Sequence, residues 1–236
     1  MPPDPVPPDV PPDVPSEVME PYRLVRSAST AGAFHAREVP VPAPREIWCH
    51  EVTEPALVLG STQSDAVVDH EACRRAGVAV VRRRSGGGAV LLRPGEVTWI
   101  DVIVPRGARG WSDDIHGPMV WLGRHLADAF AAVDAQRSFT THDGPMETTP
   151  WSSLVCFDGV GAGEVLVAGA KLVGISQRRT RDAARLQCCW YSRHDPSDLV
   201  GLLAPEGRPE VGDLRPVAVV PDEFARAVPA TLAARL

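Results

Sequence analysis

The spacing of apolar residues switches between about two and about 3.6 along the chain, and each switch marks a predicted element. REIWCHEV (45–52) and ALVLGS (56–61) read as strands separated by a turn. DAVVDHEACRRAG (65–77) brings Val67, Val68, Ala72 and Cys73 near one helical face, with Gly77 placed to cap the C-terminus. VAVVRRR (78–84) and AVLL (89–92) read as strands on either side of a glycine run. In EVTWIDVIVP (96–105), Val97, Trp99, Asp101 and Ile103 alternate with Thr98, Ile100 and Val102. Both faces are mostly apolar, which predicts a central strand.

A helical period follows from Ser112 to about Asp134, with Ser112 or Asp113 as cap and Ile115, Val120, Leu122, Leu126, Phe130 and Val133 on the apolar side. EVLVAGAKLVGIS (164–176) predicts a hairpin turning near Gly169-Ala170, and ARLQCCWYS (184–192) another strand. DPSDLVGLLAP and PDEFARAVPATLAARL predict closing helices, and VMEPYRLVRSAS (18–29) a short helix near the start. Several short strands with a few flanking helices give an α+β fold, with most strands in a mixed, largely antiparallel sheet. The Pro/Asp repeat at residues 1–18 has little to bury and predicts an extended leader, so a single domain is expected over 19–236.

The chain of 236 residues is 44% hydrophobic, enough for a sizeable core, and its net charge of -6 argues against non-specific nucleic-acid binding. Its five cysteines, Cys49, Cys73, Cys156, Cys188 and Cys189, include no CxxC pair. Neither disulfides nor a metal site is expected, and reduced thiols point to the cytoplasm. No apolar run reaches membrane-spanning length, and no signal peptide is recognised.

Candidate chemistry lies in three places. In RRRSGGGAVLL (82–92), Gly86, Gly87 and Gly88 leave backbone N–H groups open to a ligand, Arg82, Arg83 and Arg84 offer guanidinium forks, and Ser85 adds a hydroxyl. Anion binding and a tight turn with a solvated arginine face explain that stretch equally well. Lys171, between short apolar runs, is a candidate to neutralise a buried anion, or an ordinary hairpin lysine; Gln177 follows it, and Arg178, Arg179 and Arg181 read as a solvated face. Cys156 ends an apolar run and precedes a loop-like FDGVGAGE, as a buried hydrophobe or an exposed thiol activated by a nearby lysine. Cys73, Cys188 and Cys189 are assigned to packing.

Taken together, these segments resemble the lipoate–protein ligase and octanoyltransferase family. RRRSGGGAVLL resembles its RR-x-(S/T)-GGG-x-V signature, ALVLGSTQ (56–63) the VxxGxxQ segment before it, and GAKLVGISQRR (169–179) the G-(R/K)-K-(I/L)-x-G-x-(A/S)-Q segment after it. The resemblance implies a biotin/lipoate ligase-like catalytic domain, with the acyl chain in an apolar tunnel lined by the glycine loop. It implies Lys171 against the acyl carbonyl, and Arg83, Ser85, Gly86, Gly87 and Gly88 in substrate binding, with Gln63, Gly174 and Gln177 as further contacts. Cys156, Phe157, Asp158 and Glu164 followed by Lys171 are similar to the layout of the cysteine-dependent octanoyltransferases. This implies transfer of an octanoyl or lipoyl group through an acyl-cysteine, with no cofactor. The partners implied are an acyl carrier protein or a lipoyl domain, such as glycine cleavage H protein or the E2 domains of 2-oxoacid dehydrogenases. Two alternatives stay open: an ATP- and Mg²⁺-dependent ligase acting through an acyl-adenylate, and a non-catalytic acyl- or cofactor-binding protein. The family pattern also places a histidine after the glycine loop, where this chain has Leu92 and Arg93.

Overall fold

The structure is a computed structural model that describes residues 21–236; the leader read at 1–18 lies outside the described residues. Among the described residues, ten strands form two sheets. The larger holds β1 (Arg23–Ser29), β2 (Glu46–Val52), β6 (Val97–Pro105), β7 (Phe139–Thr141), β8 (Val165–Val167), β9 (Ala170–Arg179) and β10 (Ala183–Tyr191), in the order β1-β2-β6-β10-β9-β8-β7. Its pairings are antiparallel except β1 with β2. The smaller sheet holds β3 (Ala56–Leu59), β4 (Ala79–Arg82) and β5 (Val90–Leu92) in the order β4-β3-β5. The α+β reading, with a mixed and largely antiparallel sheet, therefore holds, but the strands at 45–61 belong to different sheets.

β6 is central because both of its faces are covered. Ile100, Val102 and Val104 meet α3 (Gly117–Val133) and α5 (Asp222–Ala233) through Leu122, Leu126, Phe130, Val228 and Leu232. Phe130 also meets Trp190 edge-on, with ring centroids 5.4 Å apart. Trp99, on the other face, packs with Phe34 of α1 (Ala31–Ala36) and with Val58, Val90 and Leu92 of the smaller sheet. The functional residues lie in this second layer.

Three expectations need correction. Residues 23–29 form β1, not a helix: in register with β2, they take the edge of the large sheet. The helix expected from Ser112 begins at Gly117 instead, because the Asp114 carboxylate accepts from the N–H groups of His116 and Gly117 and turns the chain there. Ile115 consequently stands exposed rather than on the apolar face. The helix at 65–77 is reduced to a 3-10 turn and α2 (His70–Ala76), which ends at Gly77 with φ 64°, as the glycine predicts. The hairpin turns at Ala168 and Gly169, with φ of 48° and 81°. α4 (Pro196–Val200) covers part of the smaller sheet. Among the described residues, no helix is long and apolar enough to cross a membrane.

Candidate functional site

Cys156 sits in a 3-10 turn (Cys156–Asp158) stitched to the glycine loop by backbone: Ala89 N–H donates to Leu154 O and Cys156 N–H to Ala89 O. The approach leaves no room for side chains. A Cβ on Gly88 would lie 2.6 Å from Cys156 N, and one on Gly60 would lie 1.9 Å from Gly87 O. Gln63 closes the same junction, accepting from Gly60 N–H and donating to Ser153 O and Leu154 O. It lines neither cavity described below.

The arginines of RRRSGGG are committed to the protein itself. Arg83 is buried; it donates to Gly86 O (2.7 Å), Gly88 O (2.9 Å) and Val58 O (3.3 Å). Arg82 binds Gly60 O and Asp65, and Arg84 binds Glu38. Because Arg83 holds the loop carbonyls, the loop is left with its N–H groups unused: those of Gly86, Gly87 and Gly88 make no hydrogen bond within the described residues. Such a run of amides suits a negatively charged oxygen. Ser85 Oγ donates to Ser176 Oγ across 3.0 Å.

Lys171 is 3% exposed. Its ammonium meets Glu164 Oε1 at 2.7 Å and donates to Cys156 O and Gly159 O, each at 3.0 Å. Every ammonium hydrogen thus has an acceptor. Burial is the largest influence and opposes the charge, but Glu164, Cys156 and Cys189 together outweigh it, and the net shift of the lysine pKa is upward. The buried anion that Lys171 neutralises is Glu164, whose carboxylate also accepts from Gly161 N–H and Ile175 N–H. In the sequence, Glu164 stands out only through the family layout.

Two cavities meet at Cys156. The outer cleft, of about 600 Å³, is lined by Gly86 to Gly88, His116, Met119, Met146, Lys171 and neighbouring residues. The inner one, of about 60 Å³, is a slot between the two sheets. Val58, Val90, Leu92, Trp99, Phe157 and Ile175 make it mainly apolar, with His35, Gln187 and Cys189 on its walls. The glycines line the cleft, and the slot belongs to strands β3, β5, β6, β9 and β10. Gly174 lines the slot, where a Cβ would meet the Phe157 ring at 3.3 Å. Gln177 faces neither cavity and donates to Ile115 O. Leu92, at the position where the resemblance has histidine, is slot wall, and Arg93 pairs with Asp198. The sequence reading passed over His35, Trp99 and Gln187 and assigned Cys189 to packing. Burial, then Cys156, pushes the Cys189 thiol up to about 12, so it stays protonated beside Cys156.

Among the described residues, no cluster of three or more His, Cys, Asp or Glu is arranged to hold a metal ion. The charged side chains lining the cleft are Asp143, Glu164 and Lys171, with His116 beside them.

A model of the lipoyl protein ligase A/B catalytic domain matches residues 36–228. The chain is 30% identical over 178 residues to the octanoyltransferase LipM of Kyrpidia tusciae, covering 69% of this chain and 63% of that protein. The alignment thus spans less than two thirds of that relative's length. Two of the solved structures that share the fold are lipoate ligases. A lipoate-protein ligase A bound with ATP has a TM-score of 0.64 at 17% identity, covering 91% of this chain and 85% of its own. A bipartite lipoate protein ligase from Thermoplasma acidophilum has a TM-score of 0.58 at 17% identity, covering 92% and 84%.

Proposed function

The chain belongs to the lipoyl protein ligase A/B catalytic domain family, and on that premise we propose that it transfers an octanoyl or lipoyl group to a lysine of a lipoyl domain through an acyl-cysteine on Cys156. The observation that carries the proposal is the position of Cys156, half-buried where an apolar slot opens into a cleft that Lys171 and the three glycines also line.

In this reading the acyl chain of a thioester enters the slot and its carbonyl lies over Cys156. The Cys156 thiolate forms the new C–S bond, and negative charge develops on the carbonyl oxygen. Amides of the glycine loop donate to that oxygen. Lys171 acts through its fixed charge rather than a free hydrogen, since its three donors are committed. Collapse breaks the donor's C–S bond and releases its thiolate, which takes up a proton. The target lysine amine then attacks the acyl-cysteine, loses a proton and leaves an amide, and the Cys156 thiolate is regenerated. An acyl carrier protein would supply the acyl group as a thioester; from a lipoyl domain it would come as a lysine amide, whose C–N bond breaks instead and whose amine leaves with a proton. A lipoyl domain such as that of glycine cleavage H protein would receive it.

The cleft also bears on the ATP-dependent alternative. Lys171 is already balanced by Glu164, and Asp143 of the lining pairs with Arg124 at 3.6 Å. A triphosphate placed there would meet no lysine of the lining that is not already paired, which supports thioester over adenylate chemistry.

The test is intact-protein mass spectrometry after incubation with octanoyl-carrier protein. One octanoyl group on the wild type, and none on Cys156→Ser, is expected. Modification of a lipoyl domain only with ATP and free acid, without an enzyme adduct, would overturn the proposal in favour of a ligase. Tight acyl retention with no transfer to any lipoyl domain would instead mark a binding protein.

A further inference from the structure

The slot has a graded floor. Gly174, Cys189 and Trp99 are register partners on three adjacent strands, β9, β10 and β6, so their side-chain positions form one row across the sheet. The row runs from no side chain to a small one to the largest. At its open end the Phe157 ring packs on Gly174, and Cys156 immediately precedes Phe157 in the chain. At its closed end stands Trp99, 3% exposed.

Trp99 is held there by a buried network. Its indole N–H donates to Asp101 Oδ1 at 2.9 Å. Asp101 Oδ2 accepts from His50 Nε2 and Arg185 Nε, each at 2.8 Å. Arg185 also donates to Phe34 O (2.7 Å) and Arg37 O (2.6 Å), which fixes the end of α1. His35 of α1 then lies against Trp99, with ring centroids 4.6 Å apart. One carboxylate therefore clamps both parts of the end wall.

We infer that Trp99 and His35 are the stop that sets the length of the acyl group, ending it at the eight carbons of the proposed octanoyl transfer. The inference deepens the proposed acyl transfer and rests on it. From Gly174 to Trp99 is two strand spacings, roughly 10 Å. An extended chain advances about 1.2 Å per bond, as extended backbone does, so roughly eight carbons fill that distance.

The experiment presents the full chain with hexanoyl, octanoyl, decanoyl and dodecanoyl thioesters of N-acetylcysteamine and follows the rate of adduct formation on Cys156 by intact mass. Octanoyl is expected to be fastest on the wild type. Trp99→Leu and His35→Ala are expected to raise the decanoyl-to-octanoyl ratio about tenfold, near the value of two more buried methylenes. Cys189→Leu, which fills the middle of the row, is expected to move the optimum to hexanoyl. If Trp99→Leu does not fold, as judged by its melting transition, His35→Ala carries the lengthening arm, since it leaves the Asp101 network intact. An unchanged chain-length profile in the folded variants, with octanoyl adduct still formed, would overturn the ruler while leaving acyl transfer standing. Absence of any adduct on the wild type would instead remove acyl transfer, and the ruler with it.

Discussion

Lys171 and Glu164 form a buried ion pair, Nζ to Oε1 2.7 Å, under the carbonyl of Cys156. Taking two charges out of water is costly, so the pair is tolerated only because each group has further hydrogen bonds. Removing one partner leaves the other unbalanced. Glu164→Gln is expected to lower unfolding stability by about 3 kcal/mol, and Lys171→Met by a similar amount. The double variant should lose clearly less than the sum. Urea denaturation of the three variants measures the coupling; additive losses would mean that the pair does not act as a unit.

Acid stability should reflect the clamp behind the slot. Burial alone would raise the Asp101 pKa, but His50 and Arg185 outweigh it and hold the carboxyl down at about 2 against its ordinary 3.8. A depressed folded pKa gives stability that is present above 3.8 and lost as the pH falls through about 2, worth about 2 kcal/mol. His35 is shifted down as well, to about 4, by burial against the pull of Asp101. Between its ordinary 6.5 and about 4, the unfolded chain takes up a proton that the folded chain refuses, so stability falls across that window. Melting temperatures measured from pH 7 to pH 3 should decline in the wild type, and His35→Gln should flatten the upper part of the decline.

The loop glycines should differ sharply in tolerance. Gly86 has open space where a Cβ would go and no positive φ, so Gly86→Ala should keep the melting temperature within a degree or two of the wild type, since exposed substitutions of this kind cost about 0.5 kcal/mol or less. At Gly60 a Cβ would collide with Gly87 O at 1.9 Å, in backbone that cannot yield without moving the glycine loop. Gly60→Ala should cost about 2–3 kcal/mol, read from thermal or urea unfolding.

Thiol reactivity should single out one cysteine. Burial pushes up the thiols of Cys49, Cys73, Cys188 and Cys189, whereas Cys156 opens to two cavities. Limited iodoacetamide followed by peptide mapping should therefore label Cys156 first. Preferential labelling of Cys189 would contradict the assignment of the accessible thiol.

What the sequence made legible was local. β6 shows itself as an apolar run because the chain covers it on both sides, and Gly77 marks a helix end by a conformation that glycine adopts freely. β1 was misread because, as an edge strand, its identity depends on pairing with β2. Arg82 and Arg84 of the glycine loop looked like ligand forks, yet they bind Asp65 and Glu38, up to 46 residues away, while Arg83, bound to Val58 O, lines the slot. The juxtaposition of His35 with Trp99 joins α1 to β6 through Arg185 of β10, and no local pattern announces it. The three family motifs gave the fold and the neighbourhood of Cys156, but not the walls of the slot.

Val58, Val90, Leu92, Trp99 and Phe157 belong both to the slot and to the hydrophobic core beneath α1. The protein has thus left out part of its own interior, and a bound acyl tail would supply the missing atoms. Recognition at such a place is a late step of folding as much as it is binding: the tail gains what a buried side chain gains, about 0.8 kcal/mol per methylene. The molecule should accordingly be stiffer as an acyl-enzyme than in its resting form.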